Sequence, residues 1–341
     1  YRLSLCSPPP EVRCSEVVTG PELTGKTPEE LAEIVKRVRV FARVAPRQKL
    51  EIVEAATRAG QFVAVTGDGV NDAPALRIAN IGVAMGKGGT DVAREAAELV
   101  ISDDNFATIV AGIEEGRIAY DNIRKVIYLL ISTGAAELVI MGLAVATGMP
   151  LPLLPVQILW LNLVTNGIQD LALAFEPGEG DVLKRKPRPP RERIFNRLMI
   201  ERTLVAAFAG GIIGFGAFYW MIANGWAEAD ARNVLLLLMV LFENFHIGNC
   251  RSEMKSAFAL SPLRNPLLLS GAILALLIHV AVMNLPFMQD VLGTAPATLT
   301  TWLVVAALAV LVVPAMELHK WLWRIRDAKK DHSVSEPIDS N

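Results

Sequence analysis

From residue 126 onward the chain is a succession of apolar stretches of near-bilayer length: 126–149, 151–175, 204–222, 234–249, 267–285 and 300–318. A helix needs ~20 apolar residues to cross a hydrocarbon core. Within that core each backbone N–H and C=O must find its partner inside the protein, so open sheets and lipid-exposed loops are excluded. Six such stretches, the fourth a little short, predict an all-α six-helix transmembrane bundle over 126–320. Composition agrees: 52% of residues are hydrophobic and the mean hydropathy is +0.38, too apolar for an ordinary soluble domain. A multi-pass integral membrane protein is expected, with the lipid bilayer as its first partner.

Lys and Arg set the orientation. The connection after the second stretch holds Lys184, Arg185, Lys186, Arg188, Arg191 and Arg193, and that after the fourth holds Arg251, Lys255 and Arg264. The tail, 321–341, begins beside Lys320 and carries Arg324 and Arg326, whereas the alternate connections hold little beyond Arg232. Both termini are therefore expected on the cytoplasmic side of a membrane, most simply the cell membrane. A net charge of −2, with no basic stripe interleaved with aromatics, gives no footprint for nucleic acid. Cys6, Cys14 and Cys250 have no metal-ligand spacing and read as thiols of a reducing compartment. No charged n-region with an apolar core stands at Tyr1.

Residues 1–105 read differently. After a loop containing Pro8–Pro10 and a short strand at Val17–Val18, the string from Gly20 to Thr27 fits the phosphate-loop pattern G-x-x-x-x-G-K-[ST]. That pattern needs a firm strand before it and a helix opening at the lysine. Here Thr27, Pro28 and Glu30 instead form a capping box for a helix over 29–38. A strand over 40–44 and a helix from Arg47 through Ala56 follow. Helices over 73–79 and 91–97 then separate short apolar strands at 62–65, 81–85 and 99–101. Strands alternating with helices argue for a parallel sheet, an α/β domain. Asp103, Asp104 and Asn105 start the next helix, charged over 106–125 and continuous with the first apolar stretch, as a stalk.

The most specific string is Thr66-Gly-Asp-Gly-Val-Asn-Asp-Ala-Pro74, at the end of the 62–65 strand. Gly67 and Gly69 allow a sharp turn, and Pro74 suits the first turn of a helix. Asp68 and Asp72, with Asn71 between, are carboxylates at a strand end above a helix start, a placement suited to Mg²⁺ and phosphate. This string resembles the hinge motif of the P-type ATPases, in the branch of calcium and sodium–potassium pumps, whose phosphorylated domain has a haloacid-dehalogenase-like fold. The resemblance runs from about Val38 to the last apolar stretch. It implies that 1–105 is the C-terminal part of a phosphorylation domain using Mg²⁺ and ATP. Asp68 would be the Mg²⁺ ligand, Thr66, Gly67, Asn71 and Asp72 would order the phosphate site, and Lys49 would neutralise the acyl-phosphate. The family's phosphorylation motif, Asp-Lys-Thr-Gly-Thr, occurs nowhere in the sequence. The chain is therefore expected to be the C-terminal part of a pump, to need the missing N-terminal part as its partner, and to be inactive alone.

Polar side chains inside membrane helices are costly and point to function. The first span carries Ser132, Thr133 and Glu137; the second carries Asn162, Thr165, Asn166, Gln169 and Asp170, at spacings that place all five on one helical face. Gly167 is expected to loosen that helix and free carbonyls. The fourth carries Glu243, with Asn244 and His246. Three carboxylates with several neutral oxygens suit a hard cation. Thr133, Asn249 and His279 read instead as interhelical hydrogen-bonding groups, and His246 fits either role. The resemblance puts Glu137, Asn162, Thr165, Asn166 and Glu243 on binding residues of the fifth, sixth and eighth helices of calcium pumps. This chain has Asn166 where those pumps have Asp, and Gly134 where they have Asn, with Asp170 and Gln169 as additional polar groups. Calcium transport is the leading expectation; sodium, potassium or a proton-coupled ion is the alternative. A membrane-anchored phosphatase would need an Asp-x-Asp nucleophile that the sequence lacks, and a non-enzymatic membrane scaffold is the remaining rival.

Overall fold

A computed structural model describes residues 17–334 apart from 39, 186, 190 and 191, with the side chains of 327–334 also left aside. The loop with Pro8–Pro10, Cys6 and Cys14 lies outside the described residues. The chain divides into two compact units, one of residues 1–115 with 183–191 and the other of 116–182 with 192–341.

The first unit is α/β, as the alternating pattern requires. Its elements run β1 (Val17–Thr19), α1 (Gly20–Leu23), α2 (Pro28–Arg37), β2 (Val40–Ala42), α3 (Pro46–Arg58), β3 (Ala64–Gly67), α4 (Ala73–Ile78), β4 (Ile81–Met85), α5 (Asp91–Ala96) and β5 (Leu99–Ile101). All pairing is parallel. A two-stranded sheet joins β1 to β2 with Val17 opposite Val40, and a three-stranded sheet has the order β3-β4-β5. Ala64 faces Ile81 and Val83 faces Leu99. Val35, Phe41, Ile52, Val65, Leu76 and Ala84 form the core between sheet and helices, each large one contributing about 1.5–3 kcal/mol. The Gly20–Thr27 string is no phosphate loop: α2 opens after Lys26, at Pro28. Thr27 accepts from Glu30 N at 3.2 Å and donates its own N–H to Glu30 Oε2 at 2.9 Å. The strand expected at 62–65 lies two residues later. Phe62 is exposed, and Thr66 and Gly67 join the ladder opposite Val83 and Ala84. Asp68 is thus the first residue beyond the strand.

The second unit is helical. Here α6 (Phe106–Thr147) is one unbroken 42-residue helix that runs from the charged 106–125 stretch into the first apolar one. The segment expected to span at 151–175 is irregular: α7 (Pro155–Trp160), a π-helical turn (Leu161–Thr165) and α8 (Asn166–Leu173). Next come α9 (Arg197–Ala223), α10 (Glu228–Cys250), α11 (Pro266–Asn284), the short α12 (Pro286–Leu292), α13 (Leu299–Ala309) and α14 (Val312–Val334). Five helical stretches among the described residues are long and apolar enough to cross a membrane, not six; the π turn interrupts the other. The last of the five, Leu299–Arg326, is itself broken at Val310–Leu311. Pro314 has no N–H and crowds the carbonyl four residues back, which accounts for the break. α10 is the most enclosed, with Leu235 to Glu243 buried in sequence.

Candidate functional site

Two constellations carry the expected chemistry. The first is the turn after β3. Lys49 projects from α3 and donates from Nζ to Asp72 Oδ1 at 2.7 Å and to the Thr66 carbonyl at 3.2 Å. Asp72 Oδ2 accepts from the backbone N–H groups of Asp68 and Gly69, both at 3.3 Å. Asp72 therefore staples the turn from inside. Burial works to raise its carboxyl, but the Lys49 hydrogen bond and charge, with the two amides, outweigh it and hold the group below its ordinary value. Gly67 is obligatory: a Cβ there would fall 2.5 Å from Asp72 Cβ. The carboxylate of Asp68 and the amide of Asn71 are exposed at the strand end. Among the described residues no three His, Cys, Asp or Glu side chains form a group able to hold a metal ion. A lone exposed carboxylate fits Mg²⁺ all the same, since that ion keeps several waters and takes one or two carboxylates beside phosphate.

A neighbouring feature was not legible as more than a helix start. Asp104, at φ 56°, accepts from the N–H groups of Gly86 and Lys87 at 2.7 and 2.9 Å and of Gly88 at 2.6 Å. It fixes the glycine loop after β4, and those amides, Lys87's first, hold its carboxyl low.

The second constellation lies in the helical unit, where the 155–173 segment is wedged between α6 and α10. Asn162 Nδ2 donates to both oxygens of Glu137 on α6, at 3.3 and 3.0 Å. Asn166 Nδ2 donates to Thr133 Oγ1 at 3.1 Å. Thr165 Oγ1 lies 2.5 Å from Glu243 Oε2 on α10. The five polar residues are thus not one uniform helical face. Their helix is loosened upstream of Gly167, at the π turn, where Asn166 N–H reaches back to Leu161 O. The extra residue in that turn aims Asn162 and Asn166 at α6 and Thr165 at α10. The expected carboxylate triad does not close on a point in this conformation. The segment and α10 do carry buried oxygens without a hydrogen-bond partner among the described residues: Asn166 Oδ1, Gln169 Oε1, Asp170 Oδ1 and Glu243 Oε1. Unpartnered buried acceptors are expensive, and a cation coordinated by amide, hydroxyl and carboxylate oxygens would satisfy them. A Cβ at Gly134 would meet no heavy atom within 4 Å, so the position lacking an amide has space for one.

Surrounding groups resolve as follows. Thr133 and His279 bond between helices, the latter accepting from Trp160 Nε1 at 3.2 Å. The Asn249 side chain does not: its amide is unpartnered among the described residues, while its carbonyl accepts from Arg202 and Lys320, both at 3.2 Å. His246 is fully buried. Its Nε2 is 2.9 Å from Ser132 Oγ on α6, and its ring stacks on Phe242 at 5.5 Å. Beyond α8, buried Glu176 takes Arg251 through Nε at 3.0 Å and Nη2 at 2.8 Å, and Asn265 Nδ2 at 2.8 Å. Asn122 of α6 donates to the Glu176 carbonyl at 2.7 Å. This hub ties the segment's end to α6, α10 and α11. In the sequence Arg251 registered only as a marker of orientation, and Glu176 was not singled out.

The chain is similar to known proteins. The family described as "Cation transporting ATPase, C-terminus" matches residues 150–322. The "Probable cation-transporting ATPase F" of Mycobacterium tuberculosis is 40% identical over 316 residues, 93% of this chain and 35% of that protein. A "Calcium-transporting ATPase" of Bacillus subtilis is 41% identical over 298 residues, 87% of this chain and 33% of that protein. The "Endoplasmic reticulum calcium ATPase srcA" of Aspergillus fumigatus is 36% identical over 337 residues, covering 90% of this chain and 35% of the relative. The chain thus spans about a third of the length of these relatives. By its hinge string, its helical unit and these matches, the chain belongs to the P-type cation-transporting ATPases and carries that family's C-terminal region.

Proposed function

We propose that this chain supplies the ion-binding helices and the Mg²⁺-holding end of the phosphorylation domain of an ATP-driven calcium pump. The observation that carries the reading is the set of unpartnered buried oxygens on Asn166, Gln169, Asp170 and Glu243, together with the Asn162–Glu137 hydrogen bond. Under it the 155–173 segment is a sixth span that crosses with its π turn in place. Glu137, Asn162, Thr165, Asn166, Asp170 and Glu243 contribute to holding the transported ion. Asp68 takes Mg²⁺, which neutralises phosphate charge while an aspartyl phosphate forms and is lost. Lys49, positioned by Asp72 beside Thr66, Gly67 and Asn71, stabilises charge on the phosphate. ATP binds chiefly outside these residues, both termini are cytoplasmic, and the chain works with the N-terminal part of the pump. Lacking Asp-Lys-Thr-Gly-Thr, the chain alone takes up no acid-stable label from ATP or inorganic phosphate.

Gly134 and Asn166 favour a second reading, a different cation such as sodium or potassium, because an anionic and an amide ligand of the resemblance are missing. The test is ATPase activity of the complete protein in reconstituted vesicles against calcium, sodium and potassium. Calcium activation that Asn166→Asp strengthens and Asp170→Asn weakens supports the calcium reading. Activation by sodium or potassium alone overturns it, and an unchanged response in Asp170→Asn removes Asp170 from the site.

A further inference from the structure

A cavity of about 730 Å³ opens between α9, α10 and α13, towards the C-terminal end of α9. At two of its glycines α9 packs closely on its neighbours. A Cβ at Gly210 would fall 2.5 Å from the Phe242 ring on α10, and one at Gly214 would fall 2.7 Å from Ile140 on α6. At Gly216, on the cavity wall, the same Cβ would meet no heavy atom within 4 Å. The Gly216 side of α9 thus faces open space where Gly210 and Gly214 face neighbouring helices. The inner wall is aliphatic, with Leu235, Leu238 and Val305 buried behind it. The rim is of another kind. Trp220 and Trp226 stand there with the hydroxyls of Thr298 and Thr301, which lie 2.9 Å apart at the start of α13.

An aliphatic slot with indoles and hydroxyls at one end suits an amphipathic ligand, and its size falls within the ~300–1,000 Å³ of ligand sites. Trp at a helix end marks the level where hydrocarbon meets headgroups. All three helices belong to the five stretches long and apolar enough to cross a membrane, and a slot between such helices is expected to face hydrocarbon rather than water. Water has no polar partners on such walls, and an empty slot forfeits dispersion contacts along its length. We infer that this groove is a phospholipid site: one acyl chain lies along Gly216 and Leu238, and the ester and glycerol oxygens meet Thr298, Thr301 and the Trp220 indole. The site is independent of the ion reading, since only the membrane helices enter the argument.

The experiment is native mass spectrometry of the full chain released from phospholipid nanodiscs, wild type against Gly216→Leu, whose side chain fills open space rather than colliding. Wild type is expected to retain one more phospholipid per chain than the variant under the same activation. Equal lipid counts, with the variant unfolding at the wild-type temperature, overturn the proposal, as does retention of a second protein chain in place of lipid. Should Gly216→Leu not fold, the wild type decides through fluorescence quenching by phospholipids brominated along the acyl chain. The part of the emission lost in Trp220→Phe is expected to be quenched; an unquenched Trp220 contradicts the site.

Discussion

Thr165 and Glu243 meet 2.5 Å apart, hydroxyl to carboxylate, at a point where both residues are completely buried. One comes from the π turn and the other from the most enclosed helix, so the contact records how the irregular segment is seated. Glu243 Oε1 has no partner among the described residues, while the Thr165 hydroxyl lies within hydrogen-bond reach of both Glu243 Oε2 and, at 2.7 Å, the Leu161 carbonyl. Thr165→Val keeps the shape and removes the donor. It is expected to lower stability by about 1–3 kcal/mol, read as an earlier thermal transition of the detergent-solubilised chain. Thr165→Ser should stay near wild type; equal losses in both would assign the effect to packing.

The Glu176–Arg251 pair gives a larger effect. Its side chains are 2% and 7% exposed, and removing one partner strands the other charge. Glu176→Ala is expected to cost about 3–5 kcal/mol. Arg251→Ala should cost a similar amount, and the double variant much less than the sum. A double-mutant cycle on thermal unfolding measures this, and strict additivity would contradict the hub.

In the first unit the prediction concerns pH. Because Asp72 titrates below its unfolded value, its pair with Lys49 stabilises fully above the ordinary carboxylate range of about 3.9, and that contribution is lost as pH falls through the lowered folded value. The stability difference between wild type and Asp72→Asn should therefore be largest near neutrality and shrink at strongly acid pH. A difference that grows on acidification would mean that Asp72 is held protonated in the fold.

Much of this was legible from pattern. Asp68, Gly69 and Asp72 could be placed on a strand-end turn because glycine and proline leave few alternatives there, and α6 could be read as stalk plus span because no breaker interrupts it. The π turn could not: Leu161 to Thr165 has no glycine or proline, and its geometry follows from what Asn162 and Thr165 meet on α6 and α10. Hydropathy also hides the break at Val310–Leu311, since the window stays apolar across it. The Glu176 hub escaped because its partners lie 75 and 89 residues away in sequence.

Gly134 offers a test of ligand composition. A Cβ at this position meets no heavy atom within 4 Å, so Gly134→Asn in the complete protein should raise apparent calcium affinity about tenfold if one oxygen ligand of about 1.4 kcal/mol is gained. An unchanged affinity would place position 134 outside the coordination sphere.

Glu243 is the central ion-holding carboxylate of the proposed site, and calcium uptake addresses it directly. In vesicles containing the complete protein, ATP-driven uptake of radioactive calcium is compared between wild type and Glu243→Gln, which preserves size and the approach of Thr165. Losing an anionic ligand should weaken apparent calcium affinity at least about tenfold, with the variant still phosphorylated from inorganic phosphate. Uptake with wild-type calcium dependence in Glu243→Gln would contradict the site.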